Sequence, residues 1–334
     1  MTSDLGSETA TEPPPQDVGD VGVRPGRHPG PRLPACLRSA KLGMVDHYLS
    51  LAVVWSLLPA AQRFDGASLP TLLAFLLGEV CLVAAAVAFG DVTGHRDGSD
   101  AAHYGPDAPG RALSRKPLPA EALTEAAAVR FAWGALLAGW LCWTVALVCA
   151  PHRPVWAVLA LAAAAVLVPQ YSWGLRFTFP GLQEVNLAVV GWAFVLPLFG
   201  LLTGEFTGLA VVEAFLFGLG PVLFGVYSNP HDVEGDRVVG RPTAARPLSL
   251  AGNRRFVGAL SVVETTVIVS APLLGTAPWW FPLAFVPLKA TRVRQFTVGM
   301  VRGDVLRGRL IGIRAHRILV VTLVAVNLLN TSLA

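Results

Sequence analysis

The fold is decided by residues 69–89, LPTLLAFLLGEVCLVAAAVAF, an apolar run with one charged side chain, Glu79. About 20 such residues are needed for a helix to cross the hydrocarbon core of a bilayer. Eight further runs share this pattern, at residues 44–61, 122–149, 155–168, 185–202, 209–227, 256–274, 279–288 and 311–329. We therefore predict an all-α, polytopic membrane protein with about nine spans. Because run 279–288 is short and contains Pro282 and Pro287, eight spans remain an alternative.

The composition of the whole chain supports a membrane protein. Of its 334 residues, 53% are hydrophobic and only 14% are charged, whereas soluble domains carry about 25% charged residues. A net charge of +4 without clustered basic and aromatic residues gives no indication of nucleic-acid binding. The four cysteines lack metal-ligand spacing, and we interpret them as small buried apolar residues.

Residues 1–33 differ from the rest of the chain. They are rich in Pro, Gly, Asp and Glu and contain almost no large apolar side chains. Such a segment cannot bury enough surface to order itself, and it lacks the apolar centre of a signal peptide. We predict a disordered tail over residues 1–33 and a membrane domain over residues 36–334.

The distribution of basic residues predicts the orientation. With the N-terminus in the cytoplasm and nine alternating spans, all of the 26 Lys and Arg residues lie on the cytoplasmic side except Arg63, Arg130 and Arg153. Cytoplasmic segments of membrane proteins are enriched in Lys and Arg. We therefore predict a cytoplasmic N-terminus in a multi-pass protein of the cell membrane.

Two of the predicted cytoplasmic loops have the same layout, with acids at the membrane edge followed by cations. The first, after run 69–89, contains Asp91, Asp97, Asp100 and Asp107, then Arg111, Arg115 and Lys116. The second, after run 209–227, contains Asn229, Asp232, Glu234 and Asp236, then Arg237, Arg241 and Arg246. Both loops are predicted to lie at one face of the bilayer, although acidic loops can also be no more than solvated charge.

The residue types of these loops suit a metal-bound diphosphate. Spacings of three to four residues place oxygen ligands on one face of a helical end. Carboxylates with water are typical ligands of Mg²⁺, which commonly bridges protein and substrate phosphate. Arg and Lys side chains bind phosphate oxygens, Arg in a bidentate manner. Two such loops facing each other could hold a diphosphate between metal ions.

The second loop resembles the second aspartate motif of the UbiA-type membrane prenyltransferases, which runs roughly Asp-x-x-Asp-x-x-Gly-Asp-Arg-x-x-Gly-x-x-Thr. The matching residues, with Asn229 in place of the leading aspartate, are Asp232, Glu234, Gly235, Asp236, Arg237, Gly240 and Thr243. The resemblance covers about residues 36–334 and includes the nine-helix count.

Two other segments resemble motifs of the same family. Asp91 and the run Lys116-Pro117-Leu118-Pro119 resemble its first motif, and YSWGLR, residues 171–176, resembles its tyrosine-to-basic motif. The usual Asn-x-x-x-Asp-x-x-x-Asp spacing is absent, since Gly90 stands where an acid or amide is common and His95 stands four residues after Asp91. Which of the first-loop aspartates bind metal therefore remains open.

The resemblance implies a helical bundle around a central cavity that opens to lipid, with a cytoplasmic cap of loops. It implies that an isoprenyl diphosphate binds through two Mg²⁺ ions, with its chain in the cavity and with a possible small aromatic acceptor. The implied catalytic residues are Asp91, Asp232, Asp236, Arg176 and Tyr171. The implied diphosphate-binding residues are Arg111, Arg115, Lys116, Arg237 and Arg241, and the metal ligands are Asp91, Asp97, Asp100, Asn229, Asp232 and Asp236.

An allylic cation is stabilised by aromatic faces, although aromatic residues in membrane proteins also form interfacial belts. The candidate cavity-wall residues are Tyr171, Trp173, Phe177, Trp192, Phe224 and Tyr227.

Polar residues inside spans usually face a cavity or a partner, and in this chain they are Asp46, Glu79, Glu213, Glu264 and Asn186. We expect Asp46 to reach water, Glu79 to line the cavity, and Glu213 and Glu264 to join helices. Arg130 is a candidate partner for one of these acids.

Three functions fit the sequence to different degrees. The first is Mg²⁺-dependent transfer of a prenyl group from an isoprenyl diphosphate to an aromatic or quinone-like acceptor. The second is a terpene cyclase, in which a double bond of the same chain attacks the cation; the altered first loop keeps this alternative open. The third is a transporter, but transporters place polar sites near the bilayer midplane, whereas these acids cluster at one edge.

Overall fold

The computed structural model describes residues 46–100, 118, 123–178, 181–229 and 249–333, and within these ranges its regular structure is entirely helical. The helices are α1 (Ser50–Leu57), α2 (Ser68–Arg96), α3 (Glu125–Cys149), α4 (Val155–Leu167), α5 (Gln183–Thr203), α6 (Gly208–Gly225), α7 (Leu250–Leu273), α8 (Phe281–Ala284), α9 (Val286–Phe296) and α10 (Val305–Leu333). A 3₁₀ turn, Asp46–Leu49, precedes α1, and a π-helical turn, Thr297–Val301, separates α9 from α10.

These helices confirm the all-α membrane fold. Six of them are long and apolar enough to cross a bilayer, namely α2, α3, α5, α6, α7 and α10, and α4 is a shorter apolar helix. Every predicted run contains a helix, but α1 has only 8 residues, and run 279–288 divides into α8 and α9. Nine is therefore an approximate count of spans. The tail predicted for residues 1–33 lies outside the described residues.

Glycines allow the long helices to pack closely. A Cβ atom on Gly78 of α2 would overlap the indole of Trp143 on α3, and that indole donates a hydrogen bond to the Phe75 carbonyl over 3.1 Å. A Cβ atom on Gly191 of α5 would lie 2.6 Å from the Cα atom of Gly218 on α6. Small residues at such positions let helix backbones approach one another in a bilayer, where helix association depends on packing.

Two interior acids join helices, as we predicted. Glu264 of α7 accepts hydrogen bonds from Lys289 and Arg292 of α9 over 2.7 and 2.9 Å, and its side chain is fully buried. Glu213 of α6 accepts a hydrogen bond from the Asn327 amide of α10 over 2.9 Å. A charge is costly inside a bilayer unless it has a partner, so these pairs fix the helices against one another.

Three expectations about interior residues were wrong. Asp46 does not reach water, because it is 3% exposed and forms an ion pair with Arg317 of α10 at 2.7 Å. Arg130 is exposed, and the acids that it was expected to neutralise bond to other side chains. Glu79 is 1% exposed and accepts a hydrogen bond from Ser50 of α1 over 2.7 Å, so it joins two helices.

Candidate active site

The C-terminal end of α2 carries the described part of the first aspartate loop. Asp91 and Asp100 are 2% and 5% exposed. A Cβ atom on Gly94 would lie 2.8 Å from the carboxyl carbon of Asp100. The chain therefore folds back after the end of α2 and places Asp100 against Gly94, about one helical turn after Asp91. Asp97 ends the helix and accepts a hydrogen bond from the Ser99 amide over 2.9 Å. These acids are held at a helix end and are not loose in solvent.

The segment 171–176 packs directly against this helix end. The Thr93 hydroxyl donates a hydrogen bond to the Ser172 carbonyl over 2.9 Å. A Cβ atom on Gly90 would lie 3.2 Å from the Ser172 hydroxyl oxygen. Gly90, the departure from the family pattern, therefore makes room for the segment that carries Tyr171 and Arg176.

Aromatic and ionic contacts also hold the segment 171–176 against the end of α2. The Trp173 ring stacks on Phe89 with centroids 4.7 Å apart. The Arg96 guanidinium lies 5.4 Å above the Trp173 ring and forms an ion pair with Glu125 at 2.7 Å. Trp173, a candidate cavity-wall residue, thus joins the end of α2 to the start of α3.

Arg176 has an unusual backbone conformation. Its φ is 50°, in the left-handed region that few residues other than glycine adopt. The preceding turn is closed by Gln170, whose side-chain oxygen accepts a hydrogen bond from the Leu175 amide over 2.8 Å. The Arg176 side chain is exposed. It ends the segment 171–176, which is fixed against the helix end that carries Asp91.

The second cluster lies where α6 ends and α5 begins. The Asn229 amide group donates a hydrogen bond to Glu184 over 2.6 Å, and its oxygen accepts one from Gln183 over 3.1 Å. Gln183 also donates to Glu184 over 3.0 Å. Asn229, predicted as a metal ligand, is therefore held by two side chains from the first turn of α5.

Sequence reasoning missed Gln183 and Glu184. The available signal was their position as polar residues directly before run 185–202, at the predicted cytoplasmic edge. Neither residue belongs to a motif, and only the fold shows that they contact Asn229.

A chain of hydrogen bonds shows that the two clusters lie at the same end of the bundle. Ser172 is bonded to Thr93 of α2, and Asn186 of α5 donates to the Leu167 carbonyl at the end of α4 over 3.4 Å. Leu167 is four residues before Tyr171, and Asn186 is two residues after Glu184. The ends of α2, α4 and α6 and the start of α5 therefore form one polar rim. That this rim faces the cytoplasm remains a prediction.

The remaining predicted site residues fall outside the described residues. They are Asp107, Arg111, Arg115, Lys116, Asp232, Glu234, Asp236, Arg237 and Arg241. Among the residues that are described, no group of three or more His, Cys, Asp or Glu side chains is arranged to hold a metal ion.

Of the other candidate wall residues, Tyr227 and Phe224 lie on the α6 side of the interior. Tyr227 is 1% exposed, and a Cβ atom on Gly308 of α10 would lie 2.8 Å from its ring. The Phe224 ring lies 6.1 Å from the imidazole of His316. Trp192 is partly buried against the main core.

A cavity of about 480 Å³ lies at the opposite end of the bundle from Asp91. It lies among helix ends and connecting turns and is lined in part by Leu57, Phe199, Thr203, Thr276 and Asn330. None of the predicted site residues that the structure describes is among its lining residues.

A bundle of apolar helices with a rim of acids at one end defines a membrane-embedded protein with a polar site at the bilayer edge. The chain belongs to the UbiA prenyltransferase family, whose family model matches residues 49–298. No curated protein sequence matches the chain.

Solved structures show the same fold at low sequence identity. A structure from work on digeranylgeranylglyceryl phosphate synthase is 13% identical, with a TM-score of 0.58, and the match covers 89% of this chain and 99% of that one. A UbiA homologue from Archaeoglobus fulgidus, bound to DMAPP and Mg²⁺, is 14% identical with a TM-score of 0.55. The second match covers 87% of this chain and 97% of that chain.

Proposed function

We propose that the protein is a Mg²⁺-dependent prenyltransferase, which moves an isoprenyl group from an isoprenyl diphosphate to an aromatic or quinone-like acceptor inside the membrane. Family membership supports prenyl transfer, and a homologue with bound DMAPP and Mg²⁺ supports the donor class. The observation that carries the proposal is the polar rim, where buried Asp91 and Asp100 lie at the same end of the bundle as Asn229.

The acids of the first loop are of the type that binds a hard divalent cation. Asp91, Asp97 and Asp100 belong to one folded-back helix end. The Oδ2 atom of Asp97 is buried without a hydrogen-bond partner among the described residues. A bound cation would offset the repulsion between carboxylates that it brings together. We propose that these residues hold one Mg²⁺ ion, and that Asn229, Asp232 and Asp236 hold a second.

When bound, Mg²⁺ supplies positive charge that neutralises the diphosphate as it leaves. The residues Arg111, Arg115, Lys116, Arg237 and Arg241 are proposed to bind its oxygens. Arg176 adds an exposed cation beside the first loop, and Tyr171 is proposed to direct its phenol toward the site. Together these groups stabilise charge that is present only as the C–O bond breaks.

The reaction separates charge between the rim and the interior. The C–O bond of the donor breaks, and its electron pair leaves with the diphosphate at the rim. The allylic cation lies deeper, where π-faces such as that of Phe224 stabilise it without capturing it. The acceptor attacks this cation, and a proton leaves the acceptor to complete the transfer.

A terpene cyclase on the same site is the second candidate function. It shares the diphosphate site and differs in that the cation reacts within its own chain. The observation that favours it is an interior histidine without a hydrogen-bond partner among the described residues, His316.

The purified protein should release diphosphate from geranyl, farnesyl or geranylgeranyl diphosphate in a Mg²⁺-dependent manner. The test compares donors alone with donors plus aromatic acceptors, and it measures both diphosphate and lipid products. Asp232→Ala and Asp236→Ala should reduce release by about 10²-fold or more. The control is Glu205→Gln, an exposed acid of the opposite face. Unchanged release in both aspartate variants would contradict the enzymatic function.

A further inference from the structure

A stripe on α10 faces α6 at intervals of four residues. Gly308 packs against Tyr227, since a Cβ atom there would lie 2.8 Å from the ring. One turn later, a Cβ atom on Gly312 would lie 2.7 Å from the Cβ atom of Phe224. The next position of the stripe is His316. Two glycines that allow close approach are thus followed by a large polar ring.

A glycine of α6 leaves room for the imidazole ring of His316. Gly220 faces His316, and a Cβ atom on Gly220 would overlap the imidazole Nδ1 atom. The rings of Phe217 and Phe224 lie 5.1 and 6.1 Å from the imidazole. His316 is 0% exposed. The imidazole therefore occupies a niche with aromatic walls that exists because residue 220 has no side chain.

Neither ring nitrogen of His316 has a hydrogen-bond partner among the residues that the structure describes. Leaving a buried polar group without a partner costs about 1–3 kcal/mol in proteins. Glu79 and Glu213 each have one oxygen bonded, to Ser50 and Asn327, whereas both ring nitrogens of His316 lack a partner among the described residues. An apolar residue would fill the niche without that cost, so packing alone does not account for His316.

The two arginines near His316 form ion pairs with other residues. The groups that interact with it electrostatically are Arg292, His47, Asp46 and Arg317. Arg292 is bound by Glu264, and Arg317 is bound by Asp46. Since an isolated charge inside a bilayer is costly, we take His316 as a neutral ring, which carries one nitrogen lone pair.

His316 lies on the interior side of the proposed diphosphate site, beside Gly220 and Phe224. Gly220 lies five residues before the end of α6, and a rise of 1.5 Å per helical residue places the niche roughly 8 Å below that end. A prenyl chain whose diphosphate is held at the rim would reach past Tyr227 and Phe224 to this depth. In that arrangement the niche would lie far from the bond that breaks and beside the chain.

We propose that His316 is the proton acceptor for a carbocation that no acceptor molecule captures, so that the protein forms an olefin when only the donor is present. This inference rests on the proposed function, which supplies the cation. A C–H bond next to the cationic carbon breaks, and its electron pair becomes the new C=C π-bond. The proton passes to the free lone pair of the imidazole. The imidazolium returns the proton to water after the product leaves.

The test compares the unmodified protein with His316→Gln, using farnesyl and geranylgeranyl diphosphates without acceptor. Glutamine keeps polarity and hydrogen bonding but does not accept a proton at neutral pH. Diphosphate release should stay within about threefold, because the ionising groups lie at the rim. Olefin yield should fall by about 10²-fold, and alcohols formed by water capture should rise. His152→Gln, on the opposite face, is the matched control and should change neither quantity.

Each outcome decides one claim. An unchanged ratio of olefin to alcohol in His316→Gln would overturn the inference. Diphosphate release that yields only acceptor-linked product in the unmodified protein would overturn it too, while supporting the proposed transferase. Absence of Mg²⁺-dependent diphosphate release with every donor would overturn the proposed function itself. If His316→Gln fails to assemble as a monodisperse protein, His316→Asn serves with the same expected ratio.

Discussion

The rim and the interior of the bundle use acidic residues in opposite ways. In the interior, Glu264, Glu213 and Glu79 each accept hydrogen bonds from a neighbouring helix. At the rim, Asp91 and Asp100 are gathered with other acids at one helix end. An acid that bonds across helices stabilises packing, whereas acids at a helix end are of the type that binds a divalent cation. In our proposal, this comparison separates residues that hold the fold from residues that take part in the reaction.

The largest effect is expected at the rim, from Asp91→Asn. The amide keeps the size of the side chain but removes the negative charge that we propose binds Mg²⁺. Diphosphate release should fall by about 10²–10³-fold, with little change in thermal unfolding. Release is followed with a coupled phosphate assay and stability by unfolding in detergent. Activity within a few-fold of the unmodified protein would show that the buried acid at the end of α2 is not a metal ligand.

The largest interior effect is expected from Glu264→Leu. This change leaves the 4% exposed Arg292 without its carboxylate partner, and breaking a buried pair from one side costs about 3–5 kcal/mol. The unfolding temperature should fall sharply. The hydrogen bond that Arg292 donates to Gln295 should also weaken, and Gln295 in turn donates to the Leu223 carbonyl near the end of α6.

The double variant Glu264→Leu/Arg292→Leu provides the matched control. Removing both charges eliminates the uncompensated one, so much of the lost stability should return. A double variant that is less stable than the single variant would mean that Arg292 has a stabilising role separate from its pairing with Glu264.

A smaller effect, on activity alone, is expected from Glu184→Ala. Asn229 would lose the carboxylate that accepts its amide proton over 2.6 Å, and hydrogen bonds to charged groups contribute about 1.5–3 kcal/mol. The resulting misplacement of Asn229 should lower kcat/KM for the donor by about tenfold. Glu184→Gln keeps an acceptor oxygen and should retain most of the activity. Equal losses in both variants would indicate that the charge matters and the positioning does not.

Much of the fold could be predicted from the sequence, because a bilayer requires long apolar helices and each one appears as a continuous run. The rim acids were recognisable for a similar reason, since charges in such a chain stand out at the ends of runs. The partners of the interior acids could not be predicted. Asp46 and Arg317 are separated by 271 positions, and composition does not indicate which helices meet.

The missed and misassigned residues share this cause. Glu79 was expected to line a cavity, because a carboxylate inside a span is costly unless it faces water or a partner. The partner, Ser50, is an ordinary serine in α1. Gln183 and Glu184 belong to no motif, and His316 becomes notable only because Gly220 lies opposite. Each depends on a contact between helices, which a linear pattern does not contain.

The smallest effect is expected from Glu79→Gln, the interior counterpart of Asp91→Asn. The amide oxygen can still accept the hydrogen bond from Ser50, so stability should change by no more than about 1 kcal/mol and diphosphate release should stay within about twofold. Both variants exchange a buried acid of α2 for its amide, so they differ mainly in depth along one helix. Unfolding temperature and release are measured for both proteins side by side. A loss of activity in Glu79→Gln comparable with that in Asp91→Asn would break the division between rim and interior, because it would place a catalytic charge among the residues that hold the helices together.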